Sequence, residues 1–283
     1  MKILVLGAGG MAGHLATIYL SEKGHDVTGF SKTPISYCEN IIGNALDKEI
    51  IKKAIMSQSF DAVINCIGIL NREVDNNISE GVFLNSYLPH YLVDCLKDTK
   101  TKVIHLSTDC VFSGKSGNYS EDSFKDSDSF YGRTKSLGEI NDTKNLTIRT
   151  SIIGPDRNEN GVGLLNWFLK QREPIKGFTS VIWTGVSTIT LAQALEKALE
   201  ENLTGIYHLV NDQKINKFEL LKLFDFYLRE EKIEIIEDNS ISVDKSLVNN
   251  RKEFSFIVPS YEEMIKDTEK WILNHKDLYK HYF

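Results

Sequence analysis

The chain has 283 residues, 41% of them hydrophobic and 25% charged, with a net charge of −6. That length buries enough core for one large domain or one and a half, and the composition is that of a globular chain rather than a disordered one. The acidic balance argues against a general nucleic-acid binder, which would carry a basic face.

Residues 2–6 form an apolar run that reads as a β-strand and ends in glycines, too short for the core of a signal peptide. A helical pattern follows over 11–23, then a second strand over 26–30. Further strand-like runs fall at 62–67, 103–107, 146–153 and 206–210. Helical segments at 47–58, 84–97, 130–140 and 189–202 separate them. Strands apolar almost throughout, alternating with helices, predict a parallel sheet covered on both faces: an α/β, Rossmann-type doubly wound fold. After Gly154-Pro155 the rhythm changes to helices at 164–171, 218–228 and 261–275 with a strand at 233–236. A smaller C-terminal α+β lobe is therefore expected. The division would give 1–154, rejoined by about 186–211, to the sheet domain, and 155–185 with 212–283 to the lobe. A ligand cleft would lie between them, at the carboxyl ends of the strands.

No stretch approaches the roughly 18 apolar residues of a membrane span. Cys38, Cys66, Cys95 and Cys110 show no CxxC spacing, which fits reduced thiols, and a cytoplasmic protein without membrane partners is expected. No HExxH, Cys/His zinc spacing, GxSxG elbow or GxxxxGK[ST] loop occurs, so no metal site is predicted.

The turn Gly7-Ala8-Gly9-Gly10-Met11-Ala12-Gly13 joins the first strand to the first helix. Glycines there allow a tight turn, close approach to a pyrophosphate and close helix–strand packing, the needs of dinucleotide binding. Two registers fit, GxGxxA on Gly7, Gly9 and Ala12, or GxxGxxG on Gly7, Gly10 and Gly13. A dinucleotide that carries a plain ribose meets a carboxylate about 20 residues on. Here Ser31-Lys32 ends the second strand with none, which favours the 2′-phosphate of NADPH, with NADH as the alternative.

Tyr131 and Lys135 stand four apart on a predicted helix and share a face. A fixed ammonium favours the phenolate of a neighbouring tyrosine, so the pair can pass a proton to a carbonyl oxygen. Chance alone supplies about one such pair in a chain of this composition, so the spacing needs context. Upstream, a strand runs into Ser107-Thr108-Asp109-Cys110, where the Thr108 hydroxyl could donate to a substrate carbonyl or merely bond backbone. His105, within that strand, reads as a structural histidine and Cys110 as an inert thiol.

Taken together, GAGGMAG, STDCVFSG, YGRTKSLGE and LTIRTSIIGP closely resemble the dTDP-4-dehydrorhamnose reductase family, extended short-chain dehydrogenases of nucleotide sugars. The likeness runs on through VIWTGVSTITLA, GIYHLVNDQKINKFELL and NNRKEFSFIVPSYEEM. It implies Thr108, Tyr131 and Lys135 as catalytic residues, with Lys135 also on the nicotinamide ribose. It implies Gly7, Gly10, Met11 and Gly13 at the pyrophosphate, and Asn65, Cys66 and Gly68 beside the cofactor. Asn85 would brace the active site, and Asn85, Trp183 and Arg251 would serve the substrate. The activity implied is NADPH-dependent reduction of a 4-keto-6-deoxyhexose on a nucleotide, for deoxysugar and polysaccharide synthesis, with a homodimer as the family expectation. Cys110 and Ser113 depart from the frequent STDYVFDG, which leaves the sugar open. A 4,6-dehydratase would need a second carboxylate after Asp109, where Cys110 stands. Epimerisation, and a regulatory subunit that binds NADP and stabilises a partner such as methionine adenosyltransferase, are the alternatives. Residues 118–129 form an acidic, serine-rich loop that reads equally as a cover for the cleft or a plain flexible connection.

Overall fold

The structure, a computed structural model, describes residues 1–283, the side chain of Arg72 left aside. The first half runs β1 (Lys2–Leu6), α1 (Met11–Glu22), β2 (Asp26–Ser31), β3 (Glu39–Ile42), α2 (Lys48–Ile55), β4 (Ala62–Asn65), α3 (Asn71–Asn76) and α4 (Ile78–Gly81). A π-helical stretch (Val82–Tyr87), α5 (Leu88–Leu96), β5 (Lys102–Thr108), a 3-10 turn (Asp109–Val111), α6 (Phe130–Leu137) and β6 (Leu146–Thr150) follow. The second half adds β7 (Ile152–Ile153), α7 (Leu164–Leu169), β8 (Ile175–Phe178), β9 (Val181–Trp183), β10 (Val186–Ser187), α8 (Thr188–Glu200) and β11 (Gly205–His208). It ends with β12 (Ile215–Asn216), α9 (Lys217–Leu228), β13 (Ile235–Asp238), β14 (Val243–Asp244) and α10 (Tyr261–Asn274).

Seven strands make one parallel sheet in the order β3-β2-β1-β4-β5-β6-β11. Side chains of a strand alternate between faces, so a strand buried on both must be apolar throughout. In β1, Ile3 and Val5 enter one core with Leu15 of α1 and Leu195 of α8, while Leu4 and Leu6 enter another with Ile51 of α2 and Leu92 of α5. This two-sided burial is why the sequence shows continuous runs rather than alternation. From β1 the chain fills one side of the sheet, then crosses to β4 and fills the other. Adjacent carboxyl ends of β1 and β4 thus open the crevice where α/β sheets bind ligands.

Edge strand β3 has no counterpart among the expected strands. Its residues are partly exposed and lack an apolar run. The single strand expected over 146–153 is two: Ile152–Ile153 leaves the main sheet to pair with Val186–Ser187. Beyond it, β12-β9-β14 and β13-β8 form two small sheets of short strands. The loop 113–129 is held by polar and aromatic contacts: Tyr119 stacks on Phe112 with centroids 4.3 Å apart, and its backbone exchanges hydrogen bonds with Ser246 and Val248.

Candidate active site

The chain leaves β1 through Gly7, whose φ of +81° lies in the left-handed region that a side chain strains. A Cβ on Gly13 would stand 2.1 Å from the Gly7 carbonyl oxygen, so only glycine lets α1 pass this close to the turn. Gly9 and Gly10 are less confined, at 3.7 Å from Ser31 Cβ and 3.5 Å from Gly7 O. Gly10 precedes Met11, where α1 begins with no acidic side chain in its first turn. Free N–H groups and the helix dipole make that end favourable to an anion. This cradle, closed to any Cβ at Gly13, fits the pyrophosphate of a dinucleotide.

A cavity of about 440 Å³ continues from the turn along the carboxyl ends of β4, β5 and β6. Met11 and Ala12 line one end; Cys66 and Gly68, then Thr108, Asp109 and Cys110, line its length; Tyr131 and Lys135 close a wall. The helix that carries the last two is capped by Ser129, whose hydroxyl accepts from Gly132 N at 3.1 Å. Gly132 packs so closely on the Cys110 carbonyl oxygen that a Cβ would lie 2.1 Å from it. Tyr131 is therefore fixed against the end of β5. A larger recess of about 780 Å³ between α7, α9 and α10 is lined by groups such as Phe226, Arg229 and Leu273. None of the expected site residues reaches it.

Burial pushes the Tyr131 phenol well above its usual range, Cys110 and Asp109 add to this, and the neighbouring Thr108 hydroxyl opposes it. Lys135 is not among the groups that act on this phenol, for a geometric reason. Lys135 Nζ donates to the Leu106 carbonyl oxygen at 2.6 Å and lies 3.2 Å from His105 Nε2. Burial brings this lysine down to about 8, while Glu139 and Cys66 work against the fall. Thr108 Oγ1 donates to Asp109 Oδ1 and accepts from Cys110 N, each at 3.1 Å. Its proton must turn from Asp109 to reach a substrate oxygen. Cys110 is held up to about 11, chiefly by burial, and Cys66 up to about 12 by the same cause, so neither is a ready nucleophile.

Other expected residues fall outside the cavity wall. Asn65 is fully buried, lies 3.1 Å from His105 Nδ1 through its amide nitrogen and accepts from Ile67 N, so it shapes the loop over 66–68 from beneath. Asn85, in the π-helical stretch, accepts from Ile69 N and donates to Ile69 O and Thr134 Oγ1. These bonds tie the loop at Ile69 to α6 and occupy both ends of the Asn85 amide. Ser31 Oγ donates to Thr33 O at 2.6 Å, while Lys32 is exposed. Trp183 is buried in the second half against Tyr261. Arg251 is corrected: its guanidinium donates to Thr204 O and Ile206 O, at the amino end of β11 and the opposite end of the sheet from the cavity.

Two contributors escaped the sequence. His105, foreseen only as structural, is the link between Asn65 and Lys135. Lys217, first residue of α9, lies 4.8 Å from the Trp183 ring and faces Asp109 and Cys110. A helix that starts at an Asn216 cap was the available signal.

The family model described as the RmlD substrate binding domain matches residues 1–239. This chain belongs to that family. Membership makes it an enzyme of the reductase type. Among family relatives, the chain is 26% identical over 218 residues to the spore coat polysaccharide biosynthesis protein SpsK of Bacillus subtilis (strain 168), 74% of this chain and 73% of that protein. To a dTDP-4-dehydrorhamnose reductase of Aggregatibacter actinomycetemcomitans it is 24% identical over 237 residues, 79% and 78% of the two chains. The fold matches the dTDP-4-dehydrorhamnose reductase of Bacillus anthracis, solved in complex with NADP, at a TM-score of 0.80 with 20% identity over 94% of this chain and 98% of that one.

Proposed function

We propose that the enzyme is an NADPH-dependent reductase of the 4-keto group on a nucleotide-linked 4-keto-6-deoxyhexose, serving the synthesis of deoxysugars for polysaccharide. The observation that carries this is one cavity whose wall brings Thr108, Tyr131 and Lys135 together and whose end is the glycine cradle. Relatives named for reduction of a dTDP sugar and for polysaccharide biosynthesis support it. The absence of a carboxylate at Ser31-Lys32 supports NADPH over NADH.

When bound, the reduced nicotinamide supplies the hydride. The protein supplies the proton and the geometry. Burial keeps Tyr131 as the neutral phenol at neutral pH, which is the form a reduction needs, and it protonates the developing alkoxide. Thr108 steadies the carbonyl oxygen by turning its hydroxyl away from Asp109. Lys135 reaches the ribose from the floor set by His105 and Leu106. Beside Asp109 stands Cys110 rather than a second acid, so the wall lacks the carboxylate pair of a dehydratase.

Oxidation of NADPH, followed at the nicotinamide absorbance with a panel of 4-keto sugar nucleotides, tests this. At least one should turn over, and Tyr131→Phe should lower kcat about 10²- to 10⁴-fold with NADPH affinity kept. Tight cofactor binding without turnover of any such sugar would sink it and favour a regulatory subunit.

A further inference from the structure

The segment 156–163 belongs to the second half of the chain, yet it lies against the glycine turn. Asp156, Val162 and Gly163 line the same cavity as Met11, and a Cβ on Gly163 would meet Met11 Sδ at 3.1 Å. From this segment Arg157 reaches back to Tyr37, in the loop after β2. Its guanidinium stands 4.9 Å from the centre of the Tyr37 ring, and Nη1 donates to the Tyr37 hydroxyl at 2.9 Å. That hydroxyl in turn donates to the carbonyl oxygen of Ala8, inside the glycine turn, at 2.5 Å. Arg157 also lies close enough to His14 for its charge to add to the burial that holds this imidazole down at about 4, and His14 Nδ1 bonds the Gly10 carbonyl at 2.9 Å. The cation is thus fixed over the turn and the first coil of α1.

A guanidinium has five N–H donors in a planar fork. Among the described residues one of them makes a hydrogen bond, to Tyr37, and no carboxylate lies within ion-pair distance of Arg157. The fork suits two oxygens of one phosphate, and the amino end of α1 beside it favours the same charge. We propose that Arg157 is a phosphate-binding residue of the dinucleotide site, contributed by the second half of the chain and held in position by Tyr37. It rests on the dinucleotide reading and reassigns a segment expected to serve only the sugar. The phosphate is either the 2′-phosphate of NADPH or the pyrophosphate that NADPH and NADH share.

Dissociation constants of NADPH and NADH for the full chain, read from nicotinamide fluorescence without any sugar, separate these cases. Arg157→Ala should weaken NADPH at least tenfold at low salt, with the gap to wild type narrowing as ionic strength rises. A loss confined to NADPH assigns the 2′-phosphate, and an equal loss for NADH the pyrophosphate. Tyr37→Phe should give a smaller loss in the same direction. Should Arg157→Ala fail to fold by circular dichroism, Arg157→Lys, which keeps the charge but not the fork, should still weaken binding severalfold. Unchanged affinity for both cofactors in the folded variant overturns the proposal. A wild-type chain that binds neither would instead overturn the dinucleotide reading beneath it.

Discussion

A buried ammonium with no carboxylate within ion-pair distance gives up its proton early, and Lys135 is placed so among the described residues. Its fall to about 8 sets a pH limit on the enzyme. Below that value the ammonium is present and can hold the ribose; as pH rises through it, the charge is lost. kcat/KM should therefore stay level up to about pH 8 and decline above. Lys135→Met should remove that alkaline limb and raise the KM for NADPH. A wild-type profile flat to pH 10 would refute the assignment. The pair itself was legible, since four residues on a helix place Tyr131 and Lys135 on one face. Where Lys135 points was not, because His105 and the Leu106 carbonyl come from a strand about 30 residues upstream. Arg251 went wrong for the same reason: an arginine near the chain's end is mute about which end of a strand it will bond.

Glu139 lies just past α6 and is the anchor of that element. Its side chain is fully buried and receives Arg149 Nε at 2.6 Å and Nη2 at 2.8 Å, Ser107 Oγ at 2.7 Å and Lys125 Nζ at 3.0 Å. Burial alone would raise its pKa, but Arg149, Lys125 and Ser107 outweigh burial and hold it below the usual carboxylate value. The network joins α6, which carries Tyr131, to β5 next to Thr108 and to β6. Because the folded pKa is depressed, the contribution to stability is complete above the unfolded value of about 4.3 and is lost as pH falls through the folded one. Arg149→Met leaves a buried carboxylate short of its main partner and should cost about 3–5 kcal/mol at neutral pH. Chemical denaturation at pH 7 and near pH 4 would measure it, and the penalty should shrink at the lower pH. An equal penalty at both would mean that packing, not charge, is what Arg149 provides. The sheet was visible because two-sided burial makes its strands apolar throughout; the small strands β8, β9, β12 and β14 were not, since two to four residues are too few to carry a period.

At the scale of the whole molecule, the loop 113–129 ties the sheet to the C-terminal segment. Its acidic, serine-rich part, 118–129, read equally as a cover for the cleft or a plain flexible connection. In the structure it is tied down at both ends and in the middle. Ser113 Oγ and N donate to Asp126, closing the loop on itself. Tyr119 stacks on Phe112, while its hydroxyl accepts from Gly114 N at 3.1 Å and Ser116 N at 3.2 Å. Its backbone N donates to Ser246 O, and Val248 N donates to its carbonyl, so the loop forms a short parallel bridge to the C-terminal segment. Glu121 adds bonds from His208 N and Asn250 N, each at 3.2 Å. One residue thus closes the loop through its ring and hydroxyl, and joins it to the second half through its backbone. Tyr119→Ala should cost about 3–5 kcal/mol, as removal of a buried aromatic does, and should free the loop before the sheet unfolds. Limited proteolysis should then cut within 113–129 in the variant while the wild type resists, and hydrogen exchange at Tyr119 and Val248 should speed up together. Cleavage at equal rates in both proteins would mean that the bridge opens freely even with the tyrosine in place.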